Sequence, residues 1–344
     1  MSASPSPHDG TVPALAPAGA AASSASRRDR IVVIGRRRAG KTIYLARLYE
    51  ALWQGCKLID GRMAAPDEHP AGRRVVEMSC RATSGASHTQ FMTVIEELRA
   101  GRWPAATVGN SYAELIVSYG GRERLLTALD YPGEVFRKAF MNDSDDPDAI
   151  ELLAAIDRAA AAIFLIDPSV VAEGGAESHE DTFGLTQAAA RIRSGPGGAN
   201  VPIAVVLTKV DVNRSFLREA GGVREFARKH FAQMFRSLEQ TSVFASAAVR
   251  VADNALGKPM PRIDRPAENV VEPLRYCFEM MQSSDASERE RETRRLRVEA
   301  TAMAERIEAD EGKRATNSWV VFTIAVVTLF VAVAVVTILA VSKN

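Results

Sequence analysis

The apolar positions of the chain keep two rhythms. Ile31-Val32-Val33-Ile34 is a short β-branched run without a polar break, the pattern of a strand covered on both faces. From Lys41 the period lengthens, and Leu45, Leu48 and Leu52 fall on one face of a helix. Phe91, Val94, Ile95 and Leu98 mark a second amphipathic helix, with Gly101 placed to end it. Tyr112–Tyr119, a Gly120-Gly121 turn and Leu125–Leu129 read as a hairpin. Three further apolar runs, 161–166, 203–207 and 242–245, read as strands separated by helical patterns. A helix around Val271, Leu274 and Phe278 closes the series near Gln282. This alternation predicts an α/β fold with a doubly wound, mostly parallel sheet and one antiparallel hairpin strand. Segments 57–106 and 168–200 exceed ordinary connections and are expected to be insertions in a domain over 29–282.

The two ends break the rhythm. Residues 1–28 are Ala, Ser and Pro with almost no large apolar side chain, which predicts a disordered tail. The charged n-region and apolar h-region of a signal peptide are missing, and a Ser-rich transit peptide is the alternative. Residues 283–317 form a charged helical stretch with Glu290 and Arg294 at a favourable spacing. Leu296, Ala300, Met303 and Ile307 sketch a short heptad seam, so this is either a solvated stalk or a dimerising coil. Trp319 to Val341 carries no charge, and at about 1.5 Å per residue it spans roughly 35 Å, enough to cross a bilayer core. A transmembrane helix over 318–342 is expected. Lys313 and Arg314 before it give a mild positive-inside bias that keeps the preceding domain cytoplasmic.

Charge narrows the partners. The 344 residues hold 43 Lys+Arg and 42 Asp+Glu, a net charge of +1, which argues against a general nucleic-acid binder. Three scattered cysteines, Cys56, Cys80 and Cys277, imply no disulfide framework, and the five histidines show no metal-ligand spacing.

The strongest chemical signal is Gly35-Arg36-Arg37-Arg38-Ala39-Gly40-Lys41-Thr42, which fits the phosphate-loop pattern GxxxxGK[ST] between a buried strand and an amphipathic helix. Its glycines let backbone N–H groups turn onto phosphates at the positive end of the helix dipole. Lys41 would reach the β- and γ-phosphates, and the Thr42 hydroxyl would ligate Mg²⁺. Arg36, Arg37 and Arg38 either point to solvent or supply an arginine over the phosphates.

Three later motifs arrive in order, each after an apolar strand: Asp130-Tyr131-Pro132-Gly133, Thr208-Lys209-Val210-Asp211 and Ser246-Ala247. Alone, the first could be a strand exit and the second a helix N-cap. As a set they resemble the Ras-like branch of the TRAFAC class of P-loop GTPases over roughly Arg30 to Gln282. That resemblance implies GTP and GDP as ligands and Mg²⁺ held by Thr42, Thr107 and, through water, Asp130. It implies that Gly133 N–H senses the γ-phosphate and that Asp211 accepts two hydrogen bonds from guanine N1 and N2. Lys209 would lie along the base plane, and a backbone N–H of Ser246-Ala247 would meet guanine O6. Thr107 takes the place of the switch threonine before the first hairpin strand, with Thr93 and Ser111 as competitors. Glu134 departs from the pattern, because many members place Gln there to orient the attacking water. A carboxylate cannot donate to the γ-phosphate and repels it, so slow hydrolysis is expected. The Tyr131–Glu134 stretch also looks like bacterial GTPases loosely related to the small signalling enzymes. The resulting expectation is a tail-anchored GTP-binding switch with a protein effector or regulator. A nucleotide-stapled membrane scaffold without turnover and an ATP-using P-loop enzyme are the alternatives.

Overall fold

The computed structural model describes residues 30–36, 39–60, 62–64, 68, 72–105, 111–130, 133–141, 145–195, 198–235, 240–254, 257–264, 266–287, 290–291, 293–299 and 301. The chain divides into two units, Met1–Gln282 and Ser283–Asn344.

In the first unit β1 (Arg30–Gly35) is the apolar run expected, and α1 (Lys41–Leu52) follows the phosphate loop. The chain then turns through β2 (Cys56–Ile59), β3 (Arg62–Met63) and β4 (Val75–Ala82) into α2 (Gly85–Arg99). Ser84 caps α2 by accepting from the Ser87 N–H, and Phe91, Val94, Ile95 and Leu98 form its buried face. The hairpin is β5 (Ser111–Tyr119) and β6 (Arg122–Asp130), turned by Gly120 and Gly121 at positive φ.

Helices α3 (Gly133–Met141) and α4 (Pro147–Asp157) lead into β7 (Ala159–Ile166). Then come α5 (Pro168–Glu173), α6 (Ala176–Ser194) and β8 (Ile203–Leu207). Short helices α7 (Arg214–Glu219) and α8 (Val223–His230) precede β9 (Thr241–Ala245). A small separate hairpin, β10 (Arg250–Asp253) and β11 (Pro259–Arg262), comes before helical residues 272–282.

The main sheet has the order β3-β2-β4-β5-β6-β1-β7-β8-β9. Strands β6, β1, β7, β8 and β9 pair in parallel, while β5, β4, β2 and β3 are joined by antiparallel ladders. The antiparallel part is therefore larger than the single hairpin strand expected. Segment 57–106 supplies most of this extension and the helix that covers it. Within the stretch 168–200, α6 is the crossover that returns the chain from β7 to β8.

Both faces of the parallel strands are covered, as the unbroken apolar runs require. Ile31, Val33, Ala161, Ile163 and Leu165 pack under α1, α2 and residues 270–281. Val32, Ile34, Ala162, Phe164 and Ile166 pack under α4, α6 and α8. One sheet thus separates two cores, and the carboxyl ends of its parallel strands converge on the phosphate loop.

In the second unit the described residues are helical at 283–287, 290–291, 293–299 and 301. Arg295 and Glu299 form an ion pair one turn apart at 2.8 Å, and Leu296 and Val298 are exposed. Most of the expected heptad seam, the transmembrane segment 318–342 and the tail 1–28 lie outside the described residues. Among the described residues no helix is long and apolar enough to cross a membrane.

Candidate functional site

The loop leaves β1 where only glycine fits. A Cβ on Gly35 would stand 2.8 Å from the Leu165 carbonyl oxygen of β7. At the other end Gly40 takes φ +82° and precedes the first turn of α1, a backbone state that favours glycine. Between them Ala39 N–H closes a tight turn on the Arg36 carbonyl at 3.1 Å. Lys41 is buried, and its ammonium donates to the carbonyls of Gly35 at 2.5 Å and Arg36 at 3.1 Å. The side chain thus bends back over the loop, where an anion could replace these two carbonyls as its partner. Arg37 and Arg38 lie outside the described residues, while Arg36 is half-buried.

Of the expected metal and switch positions, Asp130, Gly133 and Glu134 are placed by backbone alone. Leu129 pairs with Ile34, so Asp130 ends β6 beside the start of the phosphate loop. Gly133 and Glu134 open α3. The side chains of Asp130 and Glu134 are outside the description, as are Thr107, Tyr131 and Pro132 entirely. Thr42 lies in the first turn of α1. Strand register and helix position thus bring the backbones of Thr42 and Asp130 to the phosphate-loop end of the sheet. Among the described residues no cluster of three or more His, Cys, Asp or Glu side chains is placed to hold a metal.

The motif after β8 is tied to the phosphate loop. The Thr208 hydroxyl shares its proton between the carbonyls of Ala39 at 3.0 Å and Ile166 at 3.2 Å. Lys209 sits at φ +53°, and its ammonium meets the buried Asp167 carboxylate at 2.6 Å. The other oxygen of Asp167 accepts from the N–H and hydroxyl of Ser169, so that Asp167 also caps α5. Asp167 was not singled out from the sequence. Its position at the carboxyl end of β7 is the signal that could have found it.

Asp211 faces a pocket shared with Tyr44, Trp103, Lys209, Ser246 and Val249. One of its carboxylate oxygens accepts from the Val251 N–H at 3.2 Å. Trp103 is held by its indole N–H, which donates to the Pro259 carbonyl at 3.0 Å. Tyr44 is fully buried, donates to the Val270 carbonyl at 2.8 Å, and has its phenol pushed well up by burial. The pocket thus has one acidic wall, aromatic and aliphatic sides, and Gly40 of the phosphate loop at its edge. Such a lining sets a hydrogen-bond acceptor beside apolar and aromatic surface.

The two N–H groups expected to meet guanine O6 have partners within the protein. Ser246 N–H donates to the Leu207 carbonyl at 2.8 Å, continuing the ladder with β8. Ala247 N–H donates to the Glu268 carbonyl at 3.2 Å, in an isolated bridge that Glu268 N–H completes at 2.9 Å. Both N–H groups expected to meet guanine O6 are therefore committed inside the protein. The next backbone in the pocket belongs to Ala248 and Val249, and Arg47 fixes it by donating to the Ala248 carbonyl at 3.0 Å.

Part of the chain matches a known family model. Residues 114–270, from β5 to just before the closing helix, match the family model Double-GTPase 2. No curated protein matches the chain. Among solved structures it is similar to an ADP-ribosylation-factor-like small COPII coat GTPase from Encephalitozoon cuniculi in complex with GDP. That match has 10% identity and a TM-score of 0.34, covering 76% of this chain and 83% of the other. It is also similar to a signal recognition particle receptor SRb–GTP/SRX complex from Chaetomium thermophilum. Here the identity is 14% and the TM-score 0.29, with coverage of 66% and 93%. Residues 114–270 thus match a GTPase family model, within a chain whose main sheet is of α/β type.

Proposed function

From a P-loop GTPase sheet whose residues 114–270 match a GTPase family, we propose that the protein is a membrane-anchored guanine-nucleotide switch of Ras-like type. The observation that carries this reading is the single pocket in which Asp211, Lys209 and Ser246 meet Gly40 of the phosphate loop. Asp211 accepts from guanine N1–H and N2–H₂, which adenine lacks in that arrangement. Lys41 leaves the two loop carbonyls for the phosphates, and the N-terminus of α1 stabilises their charge. Thr42, Thr107 and Asp130 hold Mg²⁺, which when bound neutralises charge on the β- and γ-phosphates. Gly133 reports the γ-phosphate at the start of α3, and Ala248 or Val249 supplies the N–H for guanine O6.

Glu134 sets the pace. With a carboxylate in place of a donor beside the γ-phosphate, the isolated protein hydrolyses GTP slowly, at about 10⁻⁴ s⁻¹ or below. The same residue favours a second reading, in which the nucleotide is a permanent structural staple. Trp319–Val341 anchors the chain, with the GTPase domain on the cytoplasmic side.

Competition of GTP, GDP and ATP for the purified protein tests the nucleotide. Equal affinity for ATP and GTP overturns the base assignment. Single-turnover hydrolysis separates switch from staple, and fast multiple turnover by the protein alone refutes the role given to Glu134. Recovery of the full chain in a carbonate-soluble fraction refutes the anchor.

A further inference from the structure

Strand β9 ends the main sheet and has no neighbour on its outer side among the described residues. The direction of its free groups follows from its ladder. Ser246 N–H points to β8, so by alternation Ser242 and Phe244 also face β8, while Thr241, Val243 and Ala245 face outward. The Ala245 carbonyl is taken by the Asn269 side-chain amide at 3.0 Å, which confirms that direction. Val243 in the middle keeps its N–H and carbonyl unpaired among the described residues.

The ground beside this edge is basic. A cavity of about 370 Å³ opens along Thr241–Phe244 and is lined by Arg224, Arg228 and Phe235. Neither arginine has a carboxylate partner among the described residues, whereas Arg81, Arg102, Arg191 and Arg250 are all ion-paired. Beneath the start of the strand, Arg193 donates one Nη to the Thr241 hydroxyl and leaves its Nε and other Nη buried without a partner. Burial pulls that guanidinium below its ordinary value. Basic side chains along an edge often only discourage pairing. A half-buried guanidinium without an acid does nothing for that purpose, and it costs desolvation energy that an anion would offset.

We propose that the β9 edge is a docking site for an acidic extended segment of a partner protein, which adds to the sheet as a further strand. Its backbone pairs with Val243. Its carboxylates meet Arg224 and Arg228, which lie one helical turn apart on α8, about 6 Å along the axis. Alternate side chains of an extended strand are spaced about 6.6 Å apart, so two acidic residues separated by one position reach both arginines. A basic or neutral strand finds the same backbone but no charge partner. This surface lies outside the nucleotide pocket and does not depend on what that pocket binds.

The test is binding of a fluorescent octapeptide alternating Val and Glu to the full-length protein, read by anisotropy. A peptide alternating Val and Lys is the control. Tighter binding of the Val-Glu peptide by at least tenfold is expected. R224E/R228E should remove that preference. V243P deletes the outward N–H without touching the ladder to β8, and should weaken binding at least tenfold. Should V243P fail to fold, Val-Glu peptides N-methylated at alternate residues give the same information on the wild-type protein. One methylation register should abolish binding and the other should not. Equal binding of the acidic and basic peptides overturns the proposal. So does binding that R224E/R228E removes but V243P and N-methylation leave intact, because that marks a charged surface without strand addition.

Discussion

Asp211→Asn tests the base-reading role proposed for this carboxylate. The native carboxylate is half-buried, and one oxygen already accepts from Val251 N–H at 3.2 Å. Asparagine keeps one oxygen for that contact, so the β10–β11 hairpin stays in place and the stability change should remain within about 0.5 kcal/mol. Toward the base the change is larger. Two hydrogen bonds to a charged acceptor, each about 1.5–3 kcal/mol, become one neutral bond and one donor facing a donor. A loss of about 3 kcal/mol, the lower bound, is a factor of roughly 100 in affinity. The amide can instead donate to the 2-oxo group of xanthine, so xanthosine diphosphate should gain affinity while GDP loses it. Fluorescent-GDP titration with xanthosine diphosphate as competitor measures both, and a thermal melt alongside reports folding. An unchanged melt with GDP affinity reduced less than tenfold would remove Asp211 from the base site.

Three further outcomes follow from packing and burial. A Cβ at Gly184 of α6 would stand 2.7 Å from the Phe136 ring of α3. Gly184→Ala should therefore lose about 1–3 kcal/mol to overpacking against a gain of about 1 kcal/mol in helix propensity. Urea unfolding should show recovery when Phe136→Leu is added, and no recovery refutes the contact. Burial, aided by Lys229, lowers the His230 imidazole below its usual value, so the unfolded chain takes up the proton first as pH falls. Stability at this residue is complete above about pH 6.5 and declines below it. His230→Gln should flatten that slope in melts from pH 8 to 5, and an unchanged slope contradicts the assignment. Burial also pushes the Cys56 thiol up to about 11 and Cys80 to about 12, and raises Cys277 further. At pH 8 native Cys56 should alkylate on the order of a hundredfold more slowly than a free thiol of pKa about 8.5. Mass-spectrometric labelling at the free-thiol rate would refute that burial.

What the sequence determined by itself is everything carried by local period and spacing. Ile31–Ile34 followed by a glycine loop and the Leu45, Leu48, Leu52 stripe could only be strand, turn and helix, and these appear as β1 and α1. The double glycine at 120–121 fixed the hairpin, and the order of the apolar runs gave the five parallel strands. The phosphate loop and the Asp211 motif were legible because their chemistry depends on residues adjacent in the chain.

Segment 57–106 was not legible. Strand β4 is half exposed and carries Glu77 and Arg81, so its alternation is blurred, and it is a strand because β5 offers an edge. The same holds inside the site. Periodicity reports which face of an element is buried, and leaves open what buries it. Trp103 joins the wall of the Asp211 pocket, and Pro259, far along the chain, holds its indole N–H. Ala247 loses its free N–H because Glu268 folds back onto it. Such pairings follow from loop closure between distant segments, where the free energy depends on the whole packed sheet. Local pattern made the strands and the glycine loop after β1, and tertiary structure alone chose the walls of the Asp211 pocket.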